Sequence, residues 1–117
     1  MRARASLADL RAAAWAHRAL GCARRQLSAG RVAGIILPPP PELRQSAWRG
    51  AAALLRRRRH TCLEAALVRQ RWLSAHGVER QIVIGVASPR DEFVAHAWVE
   101  GEDVAGPERF LELTRIP

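Results

Sequence analysis

Apolar residues recur at helical spacing through the first two thirds of the chain, and this pattern predicts three helices. The first is predicted from Ser6 to Ser28, where Ser6 and Asp9 have the spacing of a capping box, and it ends near Gly30. A short apolar segment then runs into Pro38 to Pro41. Because proline fixes φ and restrains the residue before it, this segment is predicted to be an extended, stiff connector.

Two further helices follow the prolines. Pro41 suits the first position of the second helix, which is predicted to end in the run Arg56 to Arg59, where cations stabilise the helix dipole. Thr61 and Glu64 form the strongest capping box in the chain and open the third helix. That box places Cys62 at the first helical position, and the helix is predicted to stop at Gly77.

From Gln81 the pattern changes to a period of two with β-branched residues, which is typical of strands. The segments QIVIGVA and FVAHAWVE predict two strands, and VAG before Pro107 predicts the start of a third. Alternation puts Ala97 and Val99 on the core face of the second strand, with Phe93 and Ala95, and puts His96 on the other face. Helices first and strands second predict an α+β fold with a small antiparallel sheet.

The length of 117 residues, of which 49% are hydrophobic, predicts one domain over 1–117. Residues 1–40 form its N-terminal helix and Pro-rich connector, and 41–117 hold the remaining helices and the sheet. The net charge is +8, and all 19 basic residues are arginines. The alternative to an enzyme is therefore an arginine-rich module that binds nucleic acid or another protein without catalysis. Tryptophans at helical spacing favour a core role, so nucleic acid is not the expected partner.

Compartment and cofactors are predicted from what the sequence lacks. Cys22 and Cys62 do not have the spacing of a disulfide framework, which favours a reducing compartment. Charged residues interrupt the N-terminal stretch that a signal peptide would need, and no apolar run approaches the roughly 20 residues of a membrane span. We expect a cytoplasmic protein without a membrane partner. Histidines and cysteines show no paired metal-ligand spacing, so no metal or cofactor is expected.

Two residues are candidates for covalent chemistry. A thiol in the first turn of a helix lies at the positive end of the helix dipole, which favours the thiolate form that acts as a nucleophile. The sequence predicts this position for Cys62 and a strand position for His96. Papain-like and transglutaminase-like enzymes combine a helix cysteine with a strand histidine, and the imidazole there deprotonates the thiol.

The region from about residue 55 to 113 resembles the lasso-peptide B proteins, the leader peptidases of the transglutaminase-like superfamily. The resemblance rests on Cys62-Leu63, a glycine after that helix, the strand end Ile84-Gly85-Val86, and the run Ala-His-Ala-Trp-Val-Glu around His96. It implies a cysteine protease that removes the leader from a ribosomally made precursor peptide. Cys62 is then the nucleophile and His96 the general base and acid. The resemblance also implies an ATP-dependent cyclase that acts on the released core.

Because 117 residues leave no room for a leader-binding domain beside the catalytic core, we expect a small separate leader-recognition protein. Arg56 to Arg59, or the first helix, offers it a docking face by charge complementarity.

The third catalytic residue and the oxyanion hole are less sharply defined by the sequence. The family's usual aspartate, in a Val-Asn-Asp-like context, has no counterpart here. If Glu102-Asp103 forms a two-residue turn, the last two strands pair so that Glu108 lies close to His96. Asp103 is the second choice, and a Cys62-His96 dyad without a carboxylate is the third. The backbone N–H of Cys62 is the natural oxyanion donor, and the side chain of Gln81 is a possible second donor.

Overall fold

The first helix begins where a capping box satisfies its free backbone N–H groups. A computed structural model describes residues 5–87, 94–102 and 110–117. Helix α1 spans Leu7–Ser28; the Ser6 hydroxyl accepts from the Asp9 N–H, and the Asp9 carboxylate accepts from the Ser6 N–H. After this helix Gly30 has a φ of 88°, which favours glycine. The predicted start and end of the first helix are confirmed.

The second helix begins later than predicted. A single 3₁₀ turn occupies Gln45–Ala47, and helix α2 spans Trp48–Arg57. The start at Pro41 is wrong because the backbone is still extended at Arg44, where φ is −65° and ψ is 150°. The Leu43 carbonyl lies 2.8 Å from Nε2 of His76, the residue that follows the third helix. This contact takes the place of the hydrogen bond that the carbonyl would accept in a first helical turn.

Helix α3 spans Cys62–Ala75, as the capping box predicts, and packs with α1 around three tryptophans. The ring of Trp72 lies 5.7 Å, between centroids, from both Trp15 and Trp48. Trp15 and Trp72 are fully buried. Such contacts between large rings stabilise a core beyond the area that they bury. The prediction that the helical tryptophans belong to the core therefore agrees with the structure.

The extended connector is held to the helices by side chains that bond its backbone. Trp15 Nε1 donates to the Pro38 carbonyl at 2.9 Å. The Gln26 amide both accepts from the Ile36 N–H at 3.0 Å and donates to the Ile36 carbonyl at 2.7 Å. Proline has no backbone N–H, so this segment cannot form regular backbone hydrogen bonds, and the side-chain bonds satisfy its polar groups.

The described strands form one antiparallel sheet in the order β2-β1-β3. Strand β1 is Ile82–Ala87, β2 is Val94–Val99 and β3 is Leu111–Ile116. The α+β fold is confirmed. Strands β2 and β3 both pair with β1, whereas the predicted hairpin partner of β2, in 104–109, lies outside the described residues. The third strand also lies after Pro107, whereas VAG, at 104–106, is outside the described residues. Strand β1 is almost entirely apolar and suits the centre of the sheet, whereas β3 carries polar residues and exposed leucines and suits an edge.

Candidate active site

Cys62 is held at the first position of α3 by the predicted capping box. Thr61 has extended backbone angles, φ −87° and ψ 161°, and its hydroxyl accepts from the Glu64 N–H at 3.1 Å. The Glu64 carboxylate accepts from the Thr61 N–H at 2.8 Å. These two bonds leave the N–H groups of Cys62 and Leu63 without a partner in the described chain. Two free donors and a thiol therefore share one helix end.

The capping carboxylate also ties this helix end to α1. Glu64 is only 5% exposed, and its Oε2 accepts from Arg24 Nε at 2.9 Å. A second nitrogen of Arg24 donates to the Arg59 carbonyl at 2.6 Å, just before the cap. Burial raises the pKa of Glu64, but the hydrogen bonds from Arg24 and from the Thr61 N–H outweigh it, so the net pKa lies below its usual value. The carboxylate therefore stays ionised and fixes the backbone that carries Cys62.

His96 lies on strand β2 within a cluster of aromatic rings. Its ring is stacked on Trp98, with centroids 5.8 Å apart, and lies 5.5 Å from Phe110. Its partner across the strand pair is Gly85. A Cβ atom on Gly85 would meet the Phe110 Cβ at 3.0 Å and Trp98 Cη2 at 3.1 Å. The glycine therefore leaves the space that the two rings beside His96 fill.

Cys62 and His96 meet at one open cleft of about 400 Å³. The cleft forms because α3 packs mainly on the edge strand β2, not on the central strand. Ala97 and Val99 are buried, as predicted for the core face, whereas Ala95 on that face is exposed. No hydrogen bond joins the Cys62 thiol to the His96 ring in the described part of the chain. The remaining lining residues are Trp48, Leu55, His60, Ala65, Ala66, Arg69, Trp98 and Glu102.

One end of the cleft is closed by a group of side chains that the sequence analysis did not identify. Arg69 Nε donates to Glu102 Oε1 at 2.6 Å, and the Arg69 guanidinium lies 4.7 Å from the centre of the Trp48 ring. The signal for Arg69 is its position seven residues after Cys62, which puts both on one helix face. Trp48 comes from another helix and Glu102 from the turn after β2, so no local spacing points to them.

The candidate third residues, Glu108 and Asp103, lie outside the described residues, so each stays a prediction. The hairpin pairing that favoured Glu108 also falls on 104–109, outside the described residues, and β3, which follows that segment, pairs with β1. Gln81 is not among the described residues that line the cleft, and its side-chain oxygen accepts from Arg115 at 3.4 Å. The structure therefore does not bring the proposed second oxyanion donor to Cys62.

The described residues also bear on metal binding and on membrane insertion. No group of three or more histidine, cysteine, aspartate or glutamate residues there could hold a metal ion. None of the helices within 5–87 combines the length and apolar character needed to cross a bilayer.

A cysteine at a helix N-terminus and a histidine on a strand at the same cleft form the framework of a class of cysteine enzymes. A comparison with known protein families identifies the superfamily to which the chain belongs. The model of the transglutaminase-like superfamily matches residues 2–116, so the chain belongs to that superfamily. No curated protein and no solved structure matched the chain. The match confirms the superfamily part of the resemblance, and this superfamily includes cysteine peptidases.

Proposed function

We propose that the protein is a cysteine peptidase that cleaves the leader from a ribosomally made lasso-peptide precursor. The observation that carries the proposal is the shared cleft, which Cys62 and His96 both line. The superfamily match and the Ala-His-Ala-Trp-Val-Glu run around His96 support the reaction class. The protein acts with a separate leader-recognition protein, and an ATP-dependent cyclase then uses the new amino terminus.

The reaction proceeds in two steps at the end of α3. The His96 imidazole removes the proton from the Cys62 thiol, and the sulfur attacks the carbonyl carbon of the scissile bond. The free N–H groups of Cys62 and Leu63 donate to the oxyanion that forms, and the positive end of the helix dipole stabilises its charge. His96 then gives its proton to the leaving amine. Water hydrolyses the thioester, with His96 again as the base, and restores the thiol.

The orientation of His96 has two sources in this proposal. Trp98 and Phe110 contact its ring in the structure. A carboxylate is the usual further partner, and Glu108, two positions before Phe110 in the sequence, stays the first candidate, with Asp103 the second. Without either carboxylate the site works as a Cys62-His96 dyad.

The leader-recognition protein is proposed to dock on the arginine run next to the cleft. Arg56 and Arg57 end α2, and Arg59 lies three residues before Cys62; all three are exposed. Arg58 is partly buried and donates to Nδ1 of His17 on α1. An acidic face on the partner would complement this charge and bring the bound leader to the cleft, and its association would weaken as salt rises.

The test is a cleavage assay with the precursor and the leader-recognition protein, read by mass spectrometry. Cys62→Ala and His96→Ala should each reduce cleavage by at least about a thousandfold, since no other group supplies the nucleophile or its base. The chain offers a matched control for each: Cys22→Ala for the thiol, and His17→Ala, exposed on α1 and not lining the cleft, for the imidazole. Both controls should keep cleavage within a few-fold.

Two outcomes of this assay would contradict the proposal. Cleavage by Cys62→Ala would remove the nucleophile assignment and favour the arginine-rich binding module, which salt-sensitive retention on DNA would detect. Equal loss in His17→Ala and His96→Ala would mean that the loss is not specific to the histidine on β2 and would contradict its role as the base. Labelling of Cys62 by a thiol reagent near neutral pH gives an independent reading of the thiol.

A further inference from the structure

We infer that the cleft binds about three residues of the substrate in extended form between Cys62 and Arg69, and that it selects uncharged, apolar side chains there. This inference rests on the proposed peptidase function and concerns its substrate class.

The length follows from the face of α3 that borders the cleft. Cys62, Ala65, Ala66 and Arg69 line it, and their spacing of three, four and seven residues puts them on one side of the helix. Seven residues at 1.5 Å each separate Cys62 from Arg69 by about 10 Å along the axis. An extended peptide rises about 3.3 Å per residue, so about three residues span that distance. Those three residues lie on one side of the scissile bond.

The extended conformation follows from the opposite wall. Four consecutive residues of β2, 96–99, line the cleft. Among the described residues, only β1 pairs with β2, and the further backbone bond to this strand runs from the Glu102 N–H to the Val99 carbonyl at 3.0 Å. Within the part of the chain that the structure describes, the rest of that edge has no backbone partner. A peptide strand that lies along such an edge gains main-chain hydrogen bonds, while the side chains that point into the cleft give selectivity.

The preference for apolar side chains follows from the walls between the two ends. Trp48 supplies a large, partly exposed apolar surface, and the mostly buried Leu55 and Val99 add small apolar patches. Ala65 and Ala66 are small and leave room for a guest side chain. A charged side chain placed against them would lose water without gaining a partner. A substrate with a charged side chain at this position would therefore bind much more weakly.

The far end of the cleft is polar but neutral. The Arg69 charge is paired with Glu102 at 2.6 Å and rests on the Trp48 ring. A guanidinium engaged in this way does not attract an acidic side chain as a free one does. The pair therefore ends the subsite without adding a preference for acidic substrates.

The experiment combines precursor variants with a change of cleft size. The three residues on each side of the scissile bond are replaced in turn by Ala, Leu, Asp and Arg. On one side, Asp and Arg should lower kcat/KM at least about tenfold relative to Leu, because they are desolvated without a partner. Ala65→Leu fills the groove and should lower kcat/KM about tenfold for a precursor with Leu at the affected position, while one with Ala there stays within a few-fold.

Ala75→Leu is the matched control, since Ala75 is exposed at the end of the same helix and does not line the cleft. Ala65→Val provides a smaller change should the leucine variant not fold, and Arg69→Gln should improve precursors with Arg at the far position by exposing the Glu102 charge. The subsite would be overturned if the Ala65 variants and Ala75→Leu showed equal selectivity, or if charge were tolerated at all six positions. Cleavage by the unaltered protein would in either case leave the peptidase function standing. If the unaltered protein cleaves no precursor, the proposed function itself fails.

Discussion

Replacing Gly85 by alanine tests how tightly the ring cluster beside His96 is packed. Gly85 is opposite His96 in the β1–β2 pair, and its φ is not among the positive values that favour glycine. The effect of an added methyl group is therefore steric and not a matter of backbone strain. Phe110 and Trp98 are the side chains that the methyl group would meet.

The size of the effect follows from three distances. The new Cβ would lie 3.0 Å from the Phe110 Cβ, 3.1 Å from Trp98 Cη2 and 3.2 Å from the Leu111 carbonyl oxygen. Carbon atoms prefer separations of about 3.5–4.0 Å, so the two carbon contacts are too short by roughly half an ångström. Overpacking of this kind costs about 1–3 kcal/mol, and the smaller entropy of an unfolded alanine returns about 0.4–1 kcal/mol. The net loss should be about 1–2 kcal/mol.

Relief of the clash should also disturb the imidazole. The Phe110 Cβ is fixed to the backbone, whereas the far edge of the Trp98 ring can tilt, and that ring is stacked on His96. If His96 is the proposed base, a displacement of its ring by a fraction of an ångström to 1 Å should cost a factor of about ten to a hundred in rate. Gly85→Ala should therefore lower Tm by about 4–8 °C and slow precursor cleavage at least about tenfold.

The control for this substitution is another glycine with space around it. Gly21 lies inside α1, and a Cβ there would meet only Arg25 Nη1 at 3.5 Å, an ordinary contact. Gly21→Ala should raise stability by about 0.5–1 kcal/mol through helix propensity and leave cleavage unchanged. Thermal unfolding and the cleavage assay are run on both variants. A Gly85→Ala protein with unaltered Tm and unaltered cleavage would refute the reasoning about the ring cluster.

Three further changes concern the helices. Glu64→Gln should lower the free energy of unfolding by about 1–2 kcal/mol at neutral pH, because the bond from Arg24 is weakened. The pKa of Glu64 is lowered in the folded protein, so its stabilising contribution is present above the unfolded pKa and is lost as pH falls through the folded pKa. Urea unfolding of the variant should therefore depend less on pH in the acid range, and parallel pH profiles of the two proteins would contradict this. The hydrogen bond from Arg49 lowers the pKa of Asp9 from 3.8 to about 2. In the same assay, Asp9→Asn should therefore remove the loss of folding stability that occurs as pH falls from 3.8 to about 2. An unchanged pH profile in that range would contradict the pairing. Gly50→Ala should cost more than about 3 kcal/mol, because its Cβ would lie 2.0 Å from the Asp9 carbonyl oxygen and would force α1 and α2 apart; a small shift in Tm would show that these helices separate easily.

Local rules predicted the helix that carries Cys62. The Thr61 and Glu64 capping box is a contact between residues three apart, so its spacing is visible in the sequence, and the structure shows both of its bonds. The same is true of Ser6 and Asp9. The strand position of His96 followed from alternation for the same reason, since a period of two is also a local property.

Tertiary contacts decided the features that the sequence did not predict. The start of α2 depends on a contact between Leu43 and His76, 33 residues apart. The pairing of β3 with β1 joins segments that are distant in the sequence, and a hairpin rule, which considers only the turn, does not predict it. The closed end of the cleft needed Trp48 and Glu102 from separate elements, and no single spacing connects them.

The two capping boxes have a property in common that explains why α1, remote from the cleft, matters to it. In each box the acidic residue bonds the backbone of its own helix and also an arginine of another helix: Asp9 with Arg49, and Glu64 with Arg24. An exposed cap stabilises only its own helix end, whereas a buried carboxylate that also needs a cation is stable only when the two helices are correctly docked. The end of α3 that presents Cys62 is therefore fixed by the position of α1. Local sequence places the thiol at a helix end, and the pairing with Arg24 fixes that end relative to the rest of the protein.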